Sequence, residues 1–116
     1  MRLNRIVTLL LALSLPAHAA TLHVSPDGTG SDGLTWQTGF PTIGEAIVAS
    51  STGDEIWIKS ATYVENVTLE KSLTILGGFT GNEDVASERD WTSNVTTIRA
   101  SDFGAVILIR DASTCI

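Results

Sequence analysis

Two hydrophobic patterns follow each other along the chain, and the change between them lies near Asp54. Before it, Ile43, Ala46 and Ile47 have the i, i+3, i+4 spacing of a single apolar helix face. After it, short runs such as "EIWIK" alternate in the two-residue period of a half-buried strand. The pattern predicts one short amphipathic helix followed by several short strands.

The predicted helix has sequence signals at both ends. Thr42 and Glu45 have the spacing of a capping box, in which each side chain accepts a backbone N–H of the first turn. Pro41 lies just ahead and excludes an earlier helix. The segment "SSTGD" (50–54) ends the helix, and Gly53 is predicted to be the residue that breaks it.

The strand-like runs are rich in β-branched residues and are separated by Gly, Ser, Asn and Asp. They are "EIWIK", "ENVTLEKSLTILGGF", "VTTIRAS" and "AVILIRD". Few tight hairpin loops join them, and between Glu55 and Asp111 no segment has the length of a crossover helix. We therefore predict an all-β solenoid, a parallel β-helix with an N-terminal capping helix and about two coils. A β-sandwich is the alternative.

Three quoted stretches carry a family resemblance. "GDEIWIKSATY", then "SLTILGGFTGNE" with the later "ERDW", resemble the N-terminal coils of right-handed parallel β-helix proteins, the pectate-lyase-like superfamily. The opening "SPDGTGSDGLTWQTGFPTIGEAI" is similar to their lead-in strand, Trp-containing loop and capping helix. The resemblance covers residues 21–100 and implies a right-handed β-helix. In those enzymes the calcium ligands and catalytic residues lie on later coils, so none is assigned here.

The first nineteen residues have the pattern of a secretory signal peptide. Arg2 and Arg5 precede an apolar run at residues 6–15, and Ala17-His18-Ala19 supplies the small residues of a cleavage site. The apolar run is shorter than the roughly 20 residues of a transmembrane helix. We predict cleavage after Ala19, export to the periplasm, cell surface or medium, and no transmembrane segment.

The domain organisation follows from these patterns. Residues 1–19 are the signal peptide, residues 20–54 the lead-in strand, glycine-rich turn and capping helix, and residues 55–116 the first coils. The last run has no polar cap after it, so we expect a truncated chain that further coils continue.

Charge narrows the possible partners. Cleavage of the nineteen residues from 116 leaves 97, in which five Lys and Arg face 13 Asp and Glu, a net charge of −8. Nucleic-acid binding needs clustered basic residues, so it is excluded. Cys115 has no second cysteine to pair with and is predicted to be a small apolar residue in a strand.

The glycine-rich opening is predicted to be a turn. Gly28, Gly30 and Gly33 formally fit G-x-G-x-x-G, but the following "LTWQTGFPT" cannot form the helix that a dinucleotide site requires. "PDG" is typical of a turn. A calcium loop built on Asp27 and Asp32 stays open as an alternative, although no full set of oxygen ligands follows.

The aromatic residues suggest a second alternative, a surface on which sugar rings stack. They are Trp36, Trp57, Tyr63 and Trp91. Trp57 alternates with the inward-facing Ile56 and Ile58, so it is expected to point outward unless another segment covers it. Outward aromatics at a binding site should recur on neighbouring strands, where the sequence offers Thr68 and Thr74. Structural roles are therefore predicted for the aromatic residues.

The remaining polar residues suggest no reaction. The acidic residues of the loop near position 85 are predicted to be solvated and salt-bridged to Arg89; they are Glu83, Asp84, Glu88 and Asp90. His23 is the one histidine left after cleavage and lies far from any nucleophilic serine. Asn66 and Asn94 begin glycosylation sequons that matter only in a glycosylating pathway.

We predict no catalytic residue, cofactor site or metal ligand in this chain, and leave open whether the parent protein is an enzyme. The first functional hypothesis is the start of an exported protein that binds or degrades polysaccharide. The alternatives are a surface adhesin or autotransporter-like passenger, with a cell-surface partner, and a periplasmic scaffold that delivers metal.

Overall fold

The computed structural model describes residues 19–109, which form seven strands, one α-helix and one 3-10 turn. The predicted signal peptide up to His18, the end of the last predicted strand and Cys115 lie outside the described residues. In chain order the elements are β1 (Thr21–Val24), α1 (Ile43–Ala49), β2 (Glu55–Lys59), β3 (Thr62–Val64), β4 (Val67–Leu69), β5 (Thr74–Phe79), the 3-10 turn (Ala86–Glu88), β6 (Thr97–Arg99) and β7 (Ile107–Ile109).

The strands form three small sheets. β2 lies between β1 and β5 in a three-stranded sheet, whereas β3 pairs with β6 and β4 pairs with β7. Each of these pairs is parallel. In the larger sheet Leu22 lies beside Ile56, and Ile56 lies beside Ile75, so the aliphatic residues share one face.

The predicted right-handed parallel β-helix is wrong. The described residues form three short parallel sheets of two or three strands each and one helix, without a solenoid among them. A solenoid stacks at least about three units of similar length. Here the connection from β4 to β5 is short (residues 70–73) and the connection from β5 to β6 is long (residues 80–96), so the units are not of similar length. In addition, only the sheet of β1, β2 and β5 has a third strand. An alternating pattern of apolar and polar residues indicates half-buried strands, but it does not by itself specify a repeating fold. The β-sandwich alternative is also wrong, because the sheets of a sandwich are antiparallel and these strand pairs are parallel.

The main core is enclosed by the helix, the aliphatic face of the three-stranded sheet, and strands β3 and β4. Its buried members are Leu22, Val24, Ile43, Ala46, Ile47, Ile56, Ile58, Tyr63, Val67, Leu69, Leu73 and Ile75. The three helix positions chosen by their spacing are all buried. The Tyr63 hydroxyl donates a hydrogen bond to the carbonyl of Lys59 at 2.7 Å, which satisfies the polar end of this ring.

The capping box of the helix is confirmed. The Thr42 hydroxyl accepts the Glu45 N–H at 3.2 Å, and the Glu45 carboxylate accepts the Thr42 N–H at 3.3 Å. The helix ends within the predicted segment, but Ser50 is the C-cap. Gly53, the predicted breaker, lies in the following turn with a φ of 95°.

Two distant charged side chains complete the helix ends. The Glu65 carboxylate accepts the N–H groups of Ile43 at 2.9 Å and Gly44 at 2.8 Å. At the other end the Lys71 ammonium donates to the carbonyls of Ile47 at 2.6 Å and Ser50 at 2.5 Å. A helix this short is marginal alone, and both charges have the sign that its dipole favours.

A bulge in β5 changes which side chains share a face. Trp57 pairs with Leu76, but Lys59 pairs with Phe79, so β5 holds one extra residue between these pairs. The extra residue lies in Gly77–Gly78, and Gly78 has a φ of 93°. A one-residue shift moves the following side chain to the opposite face. Phe79 therefore lies on the same face as Trp57 rather than in the aliphatic core.

Candidate functional site

An aromatic layer covers the outer face of the three-stranded sheet. His23, Trp57 and Phe79 come from β1, β2 and β5, three neighbouring strands. The Trp57 and Phe79 rings are stacked, with centroids 4.8 Å apart and planes 11° apart. The His23 ring meets Trp57 edge-on at 5.5 Å. Aromatic residues thus recur on neighbouring strands of this sheet, and all three are buried.

Trp36 lies over this layer from the loop between β1 and α1. Its ring centroid is 4.6 Å from that of His23 and 5.5 Å from that of Phe79. The Trp36 indole N–H donates to the Glu83 carbonyl at 3.1 Å, which joins the two loops above the sheet. Trp57, expected to point outward unless covered, is on the outer face and is covered, with 7% of its surface exposed.

The glycine-rich segment ahead of Trp36 folds back on its own loop and is bonded to β1. The predicted turn is confirmed, since the Gly28 N–H donates to the Ser25 carbonyl at 2.9 Å. A Cβ on Gly28 would lie 2.0 Å from the Gly39 carbonyl oxygen, so this close crossing requires glycine. The backbone of β1 is bonded to the same loop, with the Phe40 N–H donating to the His23 carbonyl at 2.8 Å.

The His23 ring has a defined orientation in the layer. Its Nδ1 lies 3.0 Å from the Gly33 carbonyl, an atom that can only accept, so Nδ1 carries the hydrogen. In the neutral ring Nε2 is then the acceptor. His23 is buried, and its side chain borders the cavity between the loops above the sheet.

A cavity of about 560 Å³ opens between the two loops above the aromatic layer. This volume is within the usual range for small-molecule sites. The lining combines aromatic rings with amide, hydroxyl and carboxylate groups. The residues are Thr21, His23, Leu34, Thr35, Trp36, Gln37, Trp57, Gly81, Asn82, Glu83 and Asp84. We call this feature the Trp36 cavity.

Glu83 in the cavity wall is held by its own loop. Its carboxylate accepts the N–H groups of Thr80 at 2.7 Å, Gly81 at 3.0 Å and Asn82 at 3.0 Å, together with the Thr80 hydroxyl at 3.1 Å. Burial opposes ionisation of this carboxyl, but the backbone hydrogen bonds together keep its pKa below the usual value. Glu83 is therefore an ionised structural group and a poor proton donor.

Two other acidic residues of this loop, Glu88 and Asp90, also accept hydrogen bonds from the loop itself rather than from Arg89. The Glu88 carboxylate accepts the Asp84 N–H at 2.8 Å, and the Asp90 carboxylate accepts the Thr92 N–H and hydroxyl at 3.0 and 2.6 Å. Hydrogen bonds from the side chain and backbone of residues 92 and 93 lower the pKa of Asp90 to about 2.

Arg89 contacts a backbone carbonyl and an aromatic ring instead of the acidic side chains predicted as its partners. Its guanidinium donates to the Gly77 carbonyl at 3.1 Å and lies 4.7 Å from the centre of the Trp91 ring. The prediction that the acidic residues of this loop are exposed is confirmed, except for Glu83, which is buried. The predicted salt bridges to Arg89 are wrong. Trp91 is 62% exposed and does not line the Trp36 cavity, so it is not part of the aromatic layer.

The two aspartates of the calcium alternative have other partners. Asp27 lies 3.6 Å from the Lys59 ammonium. The Asp32 carboxylate accepts the Leu34 N–H at 3.0 Å, and hydrogen bonds from the Thr38 side chain and the Leu34 backbone lower its pKa. No cluster of three or more His, Cys, Asp or Glu placed for a metal ion occurs within residues 19–109.

The sequon asparagines lie away from the cavity. Asn66 precedes β4, donates to the Asp102 carboxylate at 2.5 Å and accepts the Ser101 N–H at 3.0 Å. The Asn94 N–H donates to the Asp90 carbonyl at 2.8 Å.

The cavity residues that sequence reasoning missed are Gln37, Asn82 and the supporting Phe79. The sequence suggests the tryptophans and Tyr63 as a platform, but its alternation gives no sign of the bulge that turns Phe79 toward Trp57. The Gly77-Gly78 pair ahead of Phe79 was the available signal, since glycine inside a strand often marks a bulge.

Comparisons of the chain with protein-family models, curated proteins and solved structures give no match. The resemblance in the quoted motifs therefore stays a prediction. Among residues 19–109 the structure holds no helix that is long and apolar enough to cross a membrane.

Proposed function

We propose that this chain binds an uncharged carbohydrate in the Trp36 cavity and does not transform it. The observation that carries the proposal is the combination of a Trp-lined floor with amide and hydroxyl groups on the walls of one cavity. Sugar rings have apolar faces that stack on aromatic rings, and hydroxyl edges that exchange hydrogen bonds with polar side chains.

The arrangement of the walls supports this proposal. Gln37 and Asn82 are exposed residues on opposite loops, and each amide side chain offers both donors and an acceptor. Between them, the half-buried Trp36 lies against a firm aromatic layer. Because the rings below it are packed, little side-chain freedom remains to be lost when a ligand binds.

Charge favours a neutral sugar over an acidic polysaccharide. Glu83 and Asp84 line the cavity, and the chain has 13 acidic against seven basic residues. A uronate carboxylate would approach like charges and be repelled. Neutral sugar hydroxyls can donate to carboxylate oxygens instead.

The positions of the acidic groups argue for binding without catalysis. Sugar-bond hydrolysis commonly uses a proton-donating carboxyl with a raised pKa and a second carboxylate. Glu83 has a lowered pKa and its two oxygens accept several loop hydrogen bonds. That arrangement fixes the loop and leaves this carboxyl unsuited to proton transfer.

Titration calorimetry with neutral gluco-, xylo- and manno-oligosaccharides, and with oligogalacturonate as the acidic comparison, tests the proposal. A neutral oligosaccharide should bind, and Trp36→Ala and Asn82→Ala should each weaken its affinity, the former by about tenfold or 1.4 kcal/mol. Trp91→Ala changes an exposed tryptophan outside the cavity and is the matched control. Preference for oligogalacturonate, or equal losses in the Trp36 and Trp91 variants, would contradict the proposal.

We also propose that the protein is exported and cleaved after Ala19. The support is the order of cationic, apolar and small residues in the first nineteen positions. Fractionation of expressing cells and mass spectrometry of the protein test this proposal separately from sugar binding. The expected species begins at Ala20, whereas an intact N-terminus in the exported fraction would contradict it.

A further inference from the structure

We propose that cleavage after Ala19 creates an ion pair within the fold, between the new α-ammonium group of Ala20 and the carboxylate of Asp54. Asp54 would then be the acceptor of the mature N-terminus. This inference rests on the cleavage proposed above and is independent of sugar binding.

The geometry of the pair is already present before cleavage. The Ala20 backbone N–H donates to Asp54 Oδ1 at 2.9 Å, although the two residues are far apart in the chain. The second oxygen, Oδ2, accepts the Ser51 N–H at 2.8 Å. The Ala20 carbonyl accepts the Glu55 N–H at 2.9 Å. The Ala20 nitrogen is therefore held in place through its own hydrogen and through the adjoining strand.

The surroundings of Asp54 favour a positive partner. Asp54 has 7% of its surface exposed, and these two hydrogen bonds come from uncharged backbone groups. A buried carboxylate is stabilised more by a full positive charge than by amide dipoles alone. Ala19 is exposed and Ala20 half-buried, so the group next to the nitrogen lies at the surface.

The chemistry of cleavage supplies that charge. Hydrolysis of the Ala19–Ala20 amide by a signal-peptidase-type protease consumes one water, leaving a carboxylate on Ala19 and an amino group on Ala20. An α-amino group has a pKa of about 8 and is mostly protonated near neutral pH. One ammonium hydrogen keeps the bond to Asp54 Oδ1, and the other two extend toward the surface where Ala19 was, so water can solvate them.

Two independent observations thus meet at one bond. The cleavage position comes from the small residues of the leader, and the carboxylate position comes from the fold around β1 and β2. The ion pair would also hold β1 in place at its first residue, because Ala20 directly precedes this strand.

A double-mutant cycle tests the inference. Four chains are compared by thermal unfolding at pH 7: those that begin at Ala20 or at Ala19, each with Asp54 or with Asp54→Asn. A start at Ala19 moves the ammonium by one residue, about 3.5 Å, and is the matched control. With Asp54 present, the Ala20 chain should unfold roughly 4 °C higher than the Ala19 chain. With Asp54→Asn that difference should disappear, and an undiminished difference would overturn the inference.

A second measurement covers the case in which Asp54→Asn prevents folding, since Asp54 also accepts the Ser51 N–H. In the two Asp54 chains, the rate at which an amine-selective acylating reagent modifies the N-terminus is measured at pH 7. An ion-paired, half-buried Ala20 amine should react several-fold more slowly than the amine of the Ala19 chain. Equal rates would overturn the inference without bearing on carbohydrate binding.

Discussion

Trp57 and Phe79 stack face to face with ring centroids 4.8 Å apart, although the strand alternation alone would place Phe79 on the opposite side of the sheet. The bulge at Gly77–Gly78 brings the two rings together. This contact supports Trp36 above it, so the local backbone of β5 determines whether the cavity has a firm floor.

Phe79→Ala should therefore destabilise the protein. The side chain is fully buried, and removal of a buried Phe costs about 3–5 kcal/mol because it leaves a cavity. Urea unfolding followed by tryptophan fluorescence measures the loss. Phe103→Ala removes the same ring from a fully exposed position and should change stability by less than about 0.5 kcal/mol. Similar losses in the two variants would show that the aromatic layer is not packed as described.

Gly78→Ala and Gly53→Ala form a matched pair for the bulge. Both residues have φ near 95°, which strains any residue with a Cβ by about 1–2 kcal/mol. A Cβ on Gly78 would also lie 2.8 Å from the Trp91 Cα, whereas nothing lies within 4 Å of one on Gly53. Gly78→Ala should be the more destabilising variant in urea unfolding, by more than about 1 kcal/mol. Equal effects would mean that the loop at Trp91 does not pack against the bulge.

Glu65→Gln should weaken the helix from outside it. The Glu65 carboxylate accepts two N–H groups in the first turn, and hydrogen bonds to a charged group contribute about 1.5–3 kcal/mol. Because Gln keeps one acceptor oxygen and Glu65 is half-buried, a loss of about 1 kcal/mol in urea unfolding is expected. Glu70→Gln changes an exposed glutamate and is the control. No difference between the two variants would argue against the cap.

Protonation of Glu83 should make the folded protein less stable at acid pH. Its pKa is lower in the folded protein than the value of about 4.3 for an unfolded chain. The stabilisation is therefore fully present above that unfolded value, declines as the pH falls below it, and is lost once the pH passes the lowered folded pKa. Thermal unfolding from pH 6 to pH 2.5 should show this decline, and Glu83→Gln should reduce it. The exposed Glu70→Gln variant should keep the full decline.

Several local features could be read from the sequence because their causes lie within a few residues. The capping box of Thr42 and Glu45, the buried helix positions and the turn before Gly28 depend on spacing and backbone conformation alone. Most of the short strands are predictable for the same reason, although β3 (Thr62–Val64) lies in none of the predicted runs. Their assembly into a repeating solenoid was inferred from what the sequence lacked, namely hairpins and crossover helices, and that inference was wrong.

The Trp36 cavity could be predicted only in part. Trp36 and Trp57 were recognised as aromatic candidates, but the sequence suggested Thr68 and Thr74 as the neighbours of Trp57. In the structure β1 and β5 are the neighbours of β2, so His23 and Phe79 lie beside Trp57 instead. The identity of neighbouring strands depends on long-range pairing, which local alternation does not encode.

The sequence by itself determined where the helix and most of the strands form, because alternation, capping residues and glycine act over one or two turns of chain. Only the tertiary structure decided which strands pair and that Glu65, Lys71 and Asp54 reach distant backbone groups. The physical reason is that each of these contacts joins residues well separated in the chain. Their free energy is gained only after the intervening loops have closed.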